Sequence, residues 1–301
     1  NLNLLKPVVT MGIFDGVHTG HRYLLNALIK TAKRESGKSV VITFNPHPRL
    51  ILEKSHKKDL YFLSTIEERK KLLEEAGIDE LVIIPFDLEF SRFTALRFVE
   101  EVLVKNIGTR YLLLGFDHHF GFMAEGNYST ISDSAHSLNL KIEQASGVKS
   151  GEQFISSTMI RNALLEGRID DANKWLGYCY TLTGKVIEGK KLGRTLGFPT
   201  ANILPDEHKL IPLNGVYAVE VNVGKANHKG ILSIGNNPTV NKLPVPISIE
   251  VYILDFNDHI YGSELTITFR YRLRDEKKFS NTEELVSQMK LDLEASRRLL
   301  K

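Results

Sequence analysis

Two histidines three residues apart stand in the run Gly12-Ile13-Phe14-Asp15-Gly16-Val17-His18-Thr19-Gly20-His21, between a short β-branched segment and an amphipathic one. A strand, a Gly-rich turn and a helix start in that order make a phosphate site, because backbone N–H groups and the positive end of the helix dipole converge on the turn. Gly12, Gly16 and Gly20 let a phosphate approach the backbone closely. His18 and His21 add side-chain donors, and nucleotidyl transfer needs donors on both the α-phosphate and the departing pyrophosphate. Alone, a His-x-x-His pair is more often two residues that happen to lie near a helix start. The glycines and flanking elements are what argue for phosphate chemistry.

Further on, Ser156, Ser157 and Thr158 place hydroxyls at the start of another helix, and Arg161 adds a fork of donors suited to ATP phosphates. The same hydroxyls would cap that helix, and one helix end can do both. In the second half, Gly189, Gly193 and Gly197 punctuate the string Gly189-Lys190-Lys191-Leu192-Gly193-Arg194-Thr195-Leu196-Gly197-Phe198-Pro199-Thr200-Ala201-Asn202. They can form a flap over phosphates, while Thr200 and Asn202 present hard oxygens suited to Mg2+. Glu250 is a carboxylate in an otherwise apolar strand, for which an ion pair with Arg270 or Arg272 is an ordinary explanation. Gly184 to Lys190 spells GxxxxGK, but Lys191 takes the place of the Ser or Thr that would hold magnesium, so this is not a P-loop. A metal-hydrolase reading of Asp15, His18, His21, His47, Asp117, His118 and His119 lacks an HExxH, a Cys pair or a helical i, i+4 His pair.

The elements that must hold these groups differ between the halves. Short β-branched runs at 8–11, 40–44, 81–84, 111–114 and 141–144 alternate with amphipathic segments, the pattern of parallel strands joined by helical crossovers. Leu24, Leu25, Leu28 and Ile29 recur at helical spacing, Ser64 with Glu67 forms a capping-box signature, and a further helix runs through Phe98, Val102 and Leu103. A doubly wound α/β domain follows, nucleotidyltransferase-like, with its ligand at the carboxyl ends of the strands. After helical segments at 159–165 and 170–176, short alternating strands at 181–187, 216–223, 230–234, 247–254 and 265–271 predict a small antiparallel β-barrel. Asn281 and Glu284 cap a final helix with Leu285, Met289 and Leu293 on one face, expected to cover an open barrel side. The predicted domains are 1–177 and 178–301.

The chain's 301 residues suit two cores better than one. Lys and Arg number 39 against 36 Asp and Glu, scattered rather than blocked, so nothing predicts a nucleic-acid stripe. No apolar run is long enough to cross a bilayer, and neither a membrane nor a nucleic acid is an expected partner. One cysteine, Cys179, cannot make an internal disulfide, and no secretory signal opens the chain, which points to a reducing cytoplasm. The oligomeric state is not legible.

The string from Gly12 to His21 resembles the GxFDGxHxGH signature of the nucleotidyltransferase superfamily. In its longer form it resembles the FAD synthetase domain of the bacterial bifunctional riboflavin kinase/FMN adenylyltransferase family. Thr43-Phe44-Asn45-Pro46-His47-Pro48, Gly115-Phe116-Asp117-His118-His119-Phe120-Gly121 and Ile155-Ser156-Ser157-Thr158-Met159-Ile160-Arg161 follow in family order. The string from Gly189 to Asn202 closely resembles the riboflavin kinase signature GxxLGRxLGFPTAN. Gly215-Val216-Tyr217, Gly230 to Thr239, Ile249 to Phe256, Tyr261-Gly262 and Leu273 to Phe279 continue it.

The resemblance implies an enzyme that phosphorylates riboflavin with ATP to FMN and adenylates FMN with ATP to FAD and pyrophosphate, using Mg2+. It implies Glu250 as the catalytic base of the kinase, and His18 and His21 as catalytic groups of adenylyl transfer. ATP would lie on Gly12, Phe14, Asp15, Gly16, Gly20, Asp117, Ser156, Ser157, Thr158 and Arg161 in the first domain, and on Gly189, Gly193, Arg194 and Gly197 in the second. Flavin would meet Asn45, His47 and Arg274, and the metal Thr200 and Asn202. His47 reads equally as a turn residue, and Asp117 as a helix or turn cap. Two departures stand out: Ile13 occupies a position where the family usually has Asn, and His118-His119 replace a pattern more often containing an aromatic. An adenylyltransferase with an inactive barrel and a flavin-binding regulatory module are the alternatives. The intact Thr200, Asn202 and Glu250 argue against the first, and His18, His21 and Arg161 against the second.

Overall fold

In a computed structural model of the chain, which describes residues 6–53, 60–189, 193, 196–236 and 247–301, Val8–Met11 (β1) is buried along its whole length. Such a strand belongs in a parallel sheet covered on both faces. It pairs into one with Ser39–Asn45 (β2), Glu80–Pro85 (β3), Tyr111–Leu114 (β4) and Lys141–Gln144 (β5), in the order β3-β2-β1-β4-β5. The crossovers carry helices Thr19–Arg34 (α1), Pro48–Leu52 (α2), Ile66–Glu75 (α3), Ala95–Arg97 (α4), which runs on as a wider π-wound stretch to Ile107, and Tyr128–Ala135 (α5). Alternating strand residues feed two cores. Val9, Met11, Val40, Ile42 and Leu112 meet Phe98 and Leu103, while Val8, Val41 and Leu113 meet Leu25, Leu28 and Leu73.

Strand order reverses between β1 and β4, which sets the loops after them side by side at the carboxyl edge, where doubly wound sheets bind ligands. Helix α3 starts one residue later than the sequence predicts. Thr65 and Glu68, not Ser64 and Glu67, exchange the capping-box hydrogen bonds at 3.2 and 3.0 Å. The Ser64 hydroxyl is engaged by the Gly-rich loop instead, accepting from Gly16 N–H at 2.9 Å and donating to Asp15 at 3.2 Å.

A small hairpin, Lys149–Ser150 (β6) with Gln153–Phe154 (β7), leads to Ser157–Leu165 (α6) and Ile169–Leu176 (α7). Thr181–Ile187 (β8), Thr200–Pro205 (β9), Gly215–Val223 (β10), Ala226–Asn236 (β11), Ile247–Ile253 (β12) and Glu264–Arg274 (β13) then form a closed antiparallel barrel, in the order β10-β11-β12-β9-β8-β13, with β13 returning to β10. The sequence pattern expects five of these strands. The sixth, β9, buries only Ile203 fully, too weak an alternation to announce a strand. Closure also corrects the expected open side. The last helix, Thr282–Leu299 (α8), is capped by Asn281 as expected, but Leu285, Met289 and Leu293 are only half-buried. Its buried residues are Asp292, which holds Arg274 of β13, and Ser296, which donates to the Gly230 carbonyl at 3.2 Å.

By contacts the chain divides into two compact units between Ser157 and Thr158 rather than at 177. The reason lies in α7: the Asn173 amide donates to the Phe269 carbonyl at 3.0 Å and accepts from Tyr180 N–H at 2.7 Å, fastening the helix to the barrel. Gly184 sits inside β8, where a Cβ would meet Ile203 at 2.6 Å, so the GxxxxGK string begins within a strand rather than in a loop. No helix among the described residues is long and apolar enough to cross a membrane.

Candidate active sites

The loop after β1 is held in a conformation that few sequences adopt. Phe14, Gly16 and Val17 all have positive φ, 54°, 76° and 35°, a region costly for side chains with a Cβ. What over-determines it is Asp15, buried, whose carboxylate accepts from Leu63 N–H at 3.1 Å and Ser64 N–H at 3.0 Å. Asp15 thus clamps the loop. The Phe14 ring is 2% exposed, part of the core beneath the loop, and packs edge-on against His21 at 5.2 Å.

His18 caps α1, its Nδ1 accepting from His21 N–H at 3.3 Å, and the two imidazoles stack with centroids 3.6 Å apart. Burial first, then the charges of His18 and Arg69, hold His21 well below its ordinary pKa of 6.5, so it is neutral at physiological pH. Its Nδ1 is buried with no hydrogen-bond partner among the described residues. Gly20 is required here: a Cβ would lie 3.1 Å from the His18 ring and 3.4 Å from the Ile155 carbonyl. Ser157 reaches the same loop, donating to the Asp15 carbonyl at 2.9 Å. Arg161 donates to Thr158 Oγ1 at 3.1 Å within the start of α6.

Arg69 is a residue that sequence reasoning missed. It is 4% exposed, donates to the Ser64 carbonyl at 3.5 Å, leaves its Nε without a partner among the described residues, and has its pKa lowered by burial against the pull of Asp15. It lies in the polar face of what reads as an ordinary amphipathic helix, so only its burial marks it.

Beside the loop, a cavity of about 690 Å3 is walled by Phe44, Phe86, Phe90, Phe98 and Phe120, with His47, Arg49, Ser91, His118 and His119 as its polar side chains and Gly12 and Ile13 from the Gly-rich loop. The loops after β1, β2 and β4 all reach it, as the strand reversal requires. His47 orders its turn and also lines the cavity. It caps α2, accepting from Arg49 N–H at 3.2 Å, and lines the cavity with its ring stacked on Phe62 at 4.1 Å. Asn45 is exposed at the end of β2, its carbonyl accepting from Phe86 N–H at 3.1 Å. Asp117 is exposed too, and its carbonyl lies 3.0 Å from His119 Nδ1.

In the barrel, Ile249, Val251 and Ile253 of β12 point inward, leaving Ser248, Glu250 and Tyr252 on the outer face. Register places Asn202 opposite Glu250 and Thr200 opposite Tyr252. Glu250 accepts from the Thr200 hydroxyl at 3.0 Å and from the Ser248 hydroxyl at 2.9 Å. The ion pair expected as its ordinary explanation is not there: Arg270 pairs with Glu220 and Arg272 with Asp275. Gly189 packs on the Asn202 amide, where a Cβ would fall 2.0 Å from its nitrogen, and Gly193 on the Phe198 carbonyl, where a Cβ would fall 2.2 Å from the oxygen. Gly197 has φ 80°. Arg194 lies outside the described residues. Arg274, expected on flavin, is instead locked to Asp292 through contacts of 2.7 to 3.1 Å. A second cavity, about 270 Å3, has Thr200 on its wall with Val186, Val251, Ile253 and Tyr261.

Two family models match the chain, FAD synthetase over residues 3–159 and riboflavin kinase over 176–300. The chain is 38% identical over 297 residues to the bifunctional riboflavin kinase/FMN adenylyltransferase of Listeria monocytogenes, covering 97% of this chain and 92% of that one. It is 34% identical over 286 residues to the enzyme of the same description from Escherichia coli K12, covering 95% and 90%. A crystal structure from Streptococcus pneumoniae, described as a macrolide-efflux protein, is similar with TM-score 0.87 at 32% identity, covering 97% of this chain and 94% of that one. A parallel-sheet unit with a clamped Gly-His loop, a barrel with a hydroxyl-held carboxylate, and full-length likeness to these enzymes converge: the chain belongs to the bifunctional riboflavin kinase/FMN adenylyltransferase family.

Proposed function

We propose that each unit runs one of two successive ATP-dependent transfers, riboflavin to FMN on the barrel and FMN to FAD on the parallel-sheet unit, through the residues assigned below. The observation that carries this assignment is that each unit holds its own cavity beside its own set of phosphate-directed groups.

On the barrel, the riboflavin 5′-hydroxyl must lose a proton as it attacks the γ-phosphate of ATP and ADP departs. Glu250 takes that proton. The Thr200 and Ser248 hydroxyls use two of its roughly four acceptor positions and fix its orientation, leaving room for a third hydroxyl. Thr200 donates its hydrogen to Glu250, which turns its lone pairs outward, and Asn202 stands across the ladder from the same carboxylate. Two neutral oxygens beside an acid fit Mg2+ that keeps its remaining ligands from water and phosphate. The metal supplies neutralisation of charge on the transferring phosphoryl group. Gly189, Gly193 and Gly197 belong to the proposed phosphate contacts, and the cavity beside Thr200 takes the adenine.

On the parallel-sheet unit, an oxygen of the FMN phosphate attacks the α-phosphorus of ATP and pyrophosphate leaves. The aromatic cavity holds the flavin ring against Phe44, Phe86 and Phe90. The N–H groups of the Gly-rich loop and the start of α1 receive phosphate oxygens, and His18 and His21, stacked and pre-positioned, donate to charge that builds on the α-phosphate. Ser156 and Ser157 complete the proposed ATP contacts of this unit.

A cytosolic location is part of the proposal, supported by the free Cys179 and by the use of ATP. Efflux, the description of the Streptococcus pneumoniae structure, draws no support from the two sites. The deciding experiment incubates the chain with riboflavin, ATP and Mg2+ and resolves FMN, FAD, ADP and pyrophosphate. The expected result is FMN followed by FAD, with His21→Ala stopping at FMN. FAD formation by a His21→Ala variant at the parent rate would reject the assignment.

A further inference from the structure

We propose that His118 is a specificity-determining residue of the flavin pocket, its Nε2 hydrogen-bonding the polar edge of the isoalloxazine ring. The inference rests on reading the aromatic cavity as the FMN site. Phenylalanine walls supply stacking and exclude water, but they do not distinguish a flavin from another flat ring. In such pockets a small number of placed polar atoms carries the discrimination.

His118 lines this cavity, its ring beside that of Phe120 at 5.7 Å and 27°. Its Nε2 is buried and has no hydrogen-bond partner among the described residues. Buried polar atoms in folded proteins are nearly always paired, so an orphan on a cavity wall marks where a ligand atom belongs. Burial, with the charge of His119 second, brings the imidazole pKa down to about 4, so the ring is neutral at physiological pH. A neutral imidazole offers an N–H or a lone pair at Nε2 according to its tautomer. The pyrimidine edge of a flavin alternates carbonyl acceptors with an N–H, so either tautomer finds a partner.

The side chain is also well placed to be selective. Its backbone N–H donates to the Gly115 carbonyl at 3.3 Å, in the turn directly after β4, which ties it to the sheet. Its neighbour His119 is exposed and lies 3.0 Å from the Asp117 carbonyl. The histidine keeps a flat ring against Phe120 and carries a nitrogen that a phenyl ring would lack.

The test is steady-state FAD formation from FMN by the full chain, with FMN formation from riboflavin measured on the same samples. His118→Phe keeps the ring and removes the nitrogen. It is expected to raise KM for FMN about 3- to 10-fold, the range for one neutral hydrogen bond, with kcat and the kinase reaction within twofold of the parent. His118→Gln, which restores a donor and an acceptor, should recover most of the loss, and His118→Leu should not. Ser91→Trp, which fills the cavity from its wall, should abolish FAD formation and leave FMN formation intact. If Ser91→Trp has that effect but His118→Phe leaves KM unchanged, the His118 assignment is overturned and the pocket stands. If Ser91→Trp leaves KM for FMN unchanged, the pocket reading fails and the proposal falls with it. Equal losses in the Phe, Leu and Gln variants would show that His118 only packs, and would overturn the proposal as well.

Discussion

The parallel-sheet unit sets two stacked imidazoles, one of them held neutral by burial, where the barrel sets a carboxylate gripped by two hydroxyls. The difference follows from the nucleophile. A flavin phosphate is already an anion when it attacks, so its site needs donors for the charge that develops and no base. A ribityl hydroxyl is neutral, so its site needs an acceptor for the proton. A carboxylate among the imidazoles would repel both phosphates, and an imidazole in place of Glu250 would compete with the metal's phosphates for hydrogen bonds.

Removing the acceptor is the sharpest way to break this contrast. Glu250→Gln should slow FMN formation by about 10²- to 10⁴-fold, the scale of a lost general base, with FAD formation from supplied FMN unchanged. Single-turnover assays of both reactions decide it, and near-parent kinase turnover would reduce Glu250 to a positioning group. For the donor side, His21→Ala should cost FAD formation on the order of 10²-fold and spare the kinase. The coupling to Arg69 sharpens the donor side: Arg69→Met removes a nearby positive charge, so the His21 pKa should rise toward 6.5, read from imidazole NMR shifts against pH.

Acid stability extends the comparison to the units themselves. His21 and His118 both have folded pKa values below the unfolded value of 6.5. The unfolded chain therefore binds more protons below 6.5, and the stability that burial of His118 confers, complete above 6.5, is lost as pH falls from there toward about 4, with His21 acting in the same direction. Hydrogen exchange followed across that window should show the parallel-sheet unit opening earlier in His118 than in a His118→Phe variant. Protection that is flat across the window in both chains would refute the burial of these imidazoles. The smallest effect concerns the boundary. A fragment beginning at Thr158 should melt higher than one beginning at Thr181, because only the first keeps the two Asn173 hydrogen bonds, each worth about 1 kcal/mol.

Parallel strands at 8–11 and 111–114 were legible to the residue because apolar runs buried on both faces have sharp ends. The barrel's β9 was not, since its Thr, Ala and Asn read as site chemistry rather than as half-buried strand. The motif strings located both sites, yet they could not separate residues that touch phosphate from those that shape the loop around it. Asp15 and Phe14 belong to the motif, and three-dimensional partners at Leu63, Ser64 and His21 reveal their structural tasks. The contact of Arg274 with Asp292 carries no sequence signal either, since Asp292 lies on a helix whose sequence predicted an apolar face. Arg69 and the Nε2 of His118 carry no spacing signal, and only burial without a partner distinguishes them.

Closure of the barrel by β13 has a bearing on how the chain is made. Its first strand pairs with its last, Leu182 with Ile267, and β10 pairs with β13 as well, so the two pairings that close the barrel wait for the chain from Glu264 onward. Contacts so distant in sequence are slow to form and leave strand edges open in the meantime. The parallel sheet is complete at Gln144, so on the ribosome it can fold while the barrel is still being synthesised. Nascent chains halted between residues 230 and 260 should therefore carry a protease-resistant first unit and an unprotected, aggregation-prone second one.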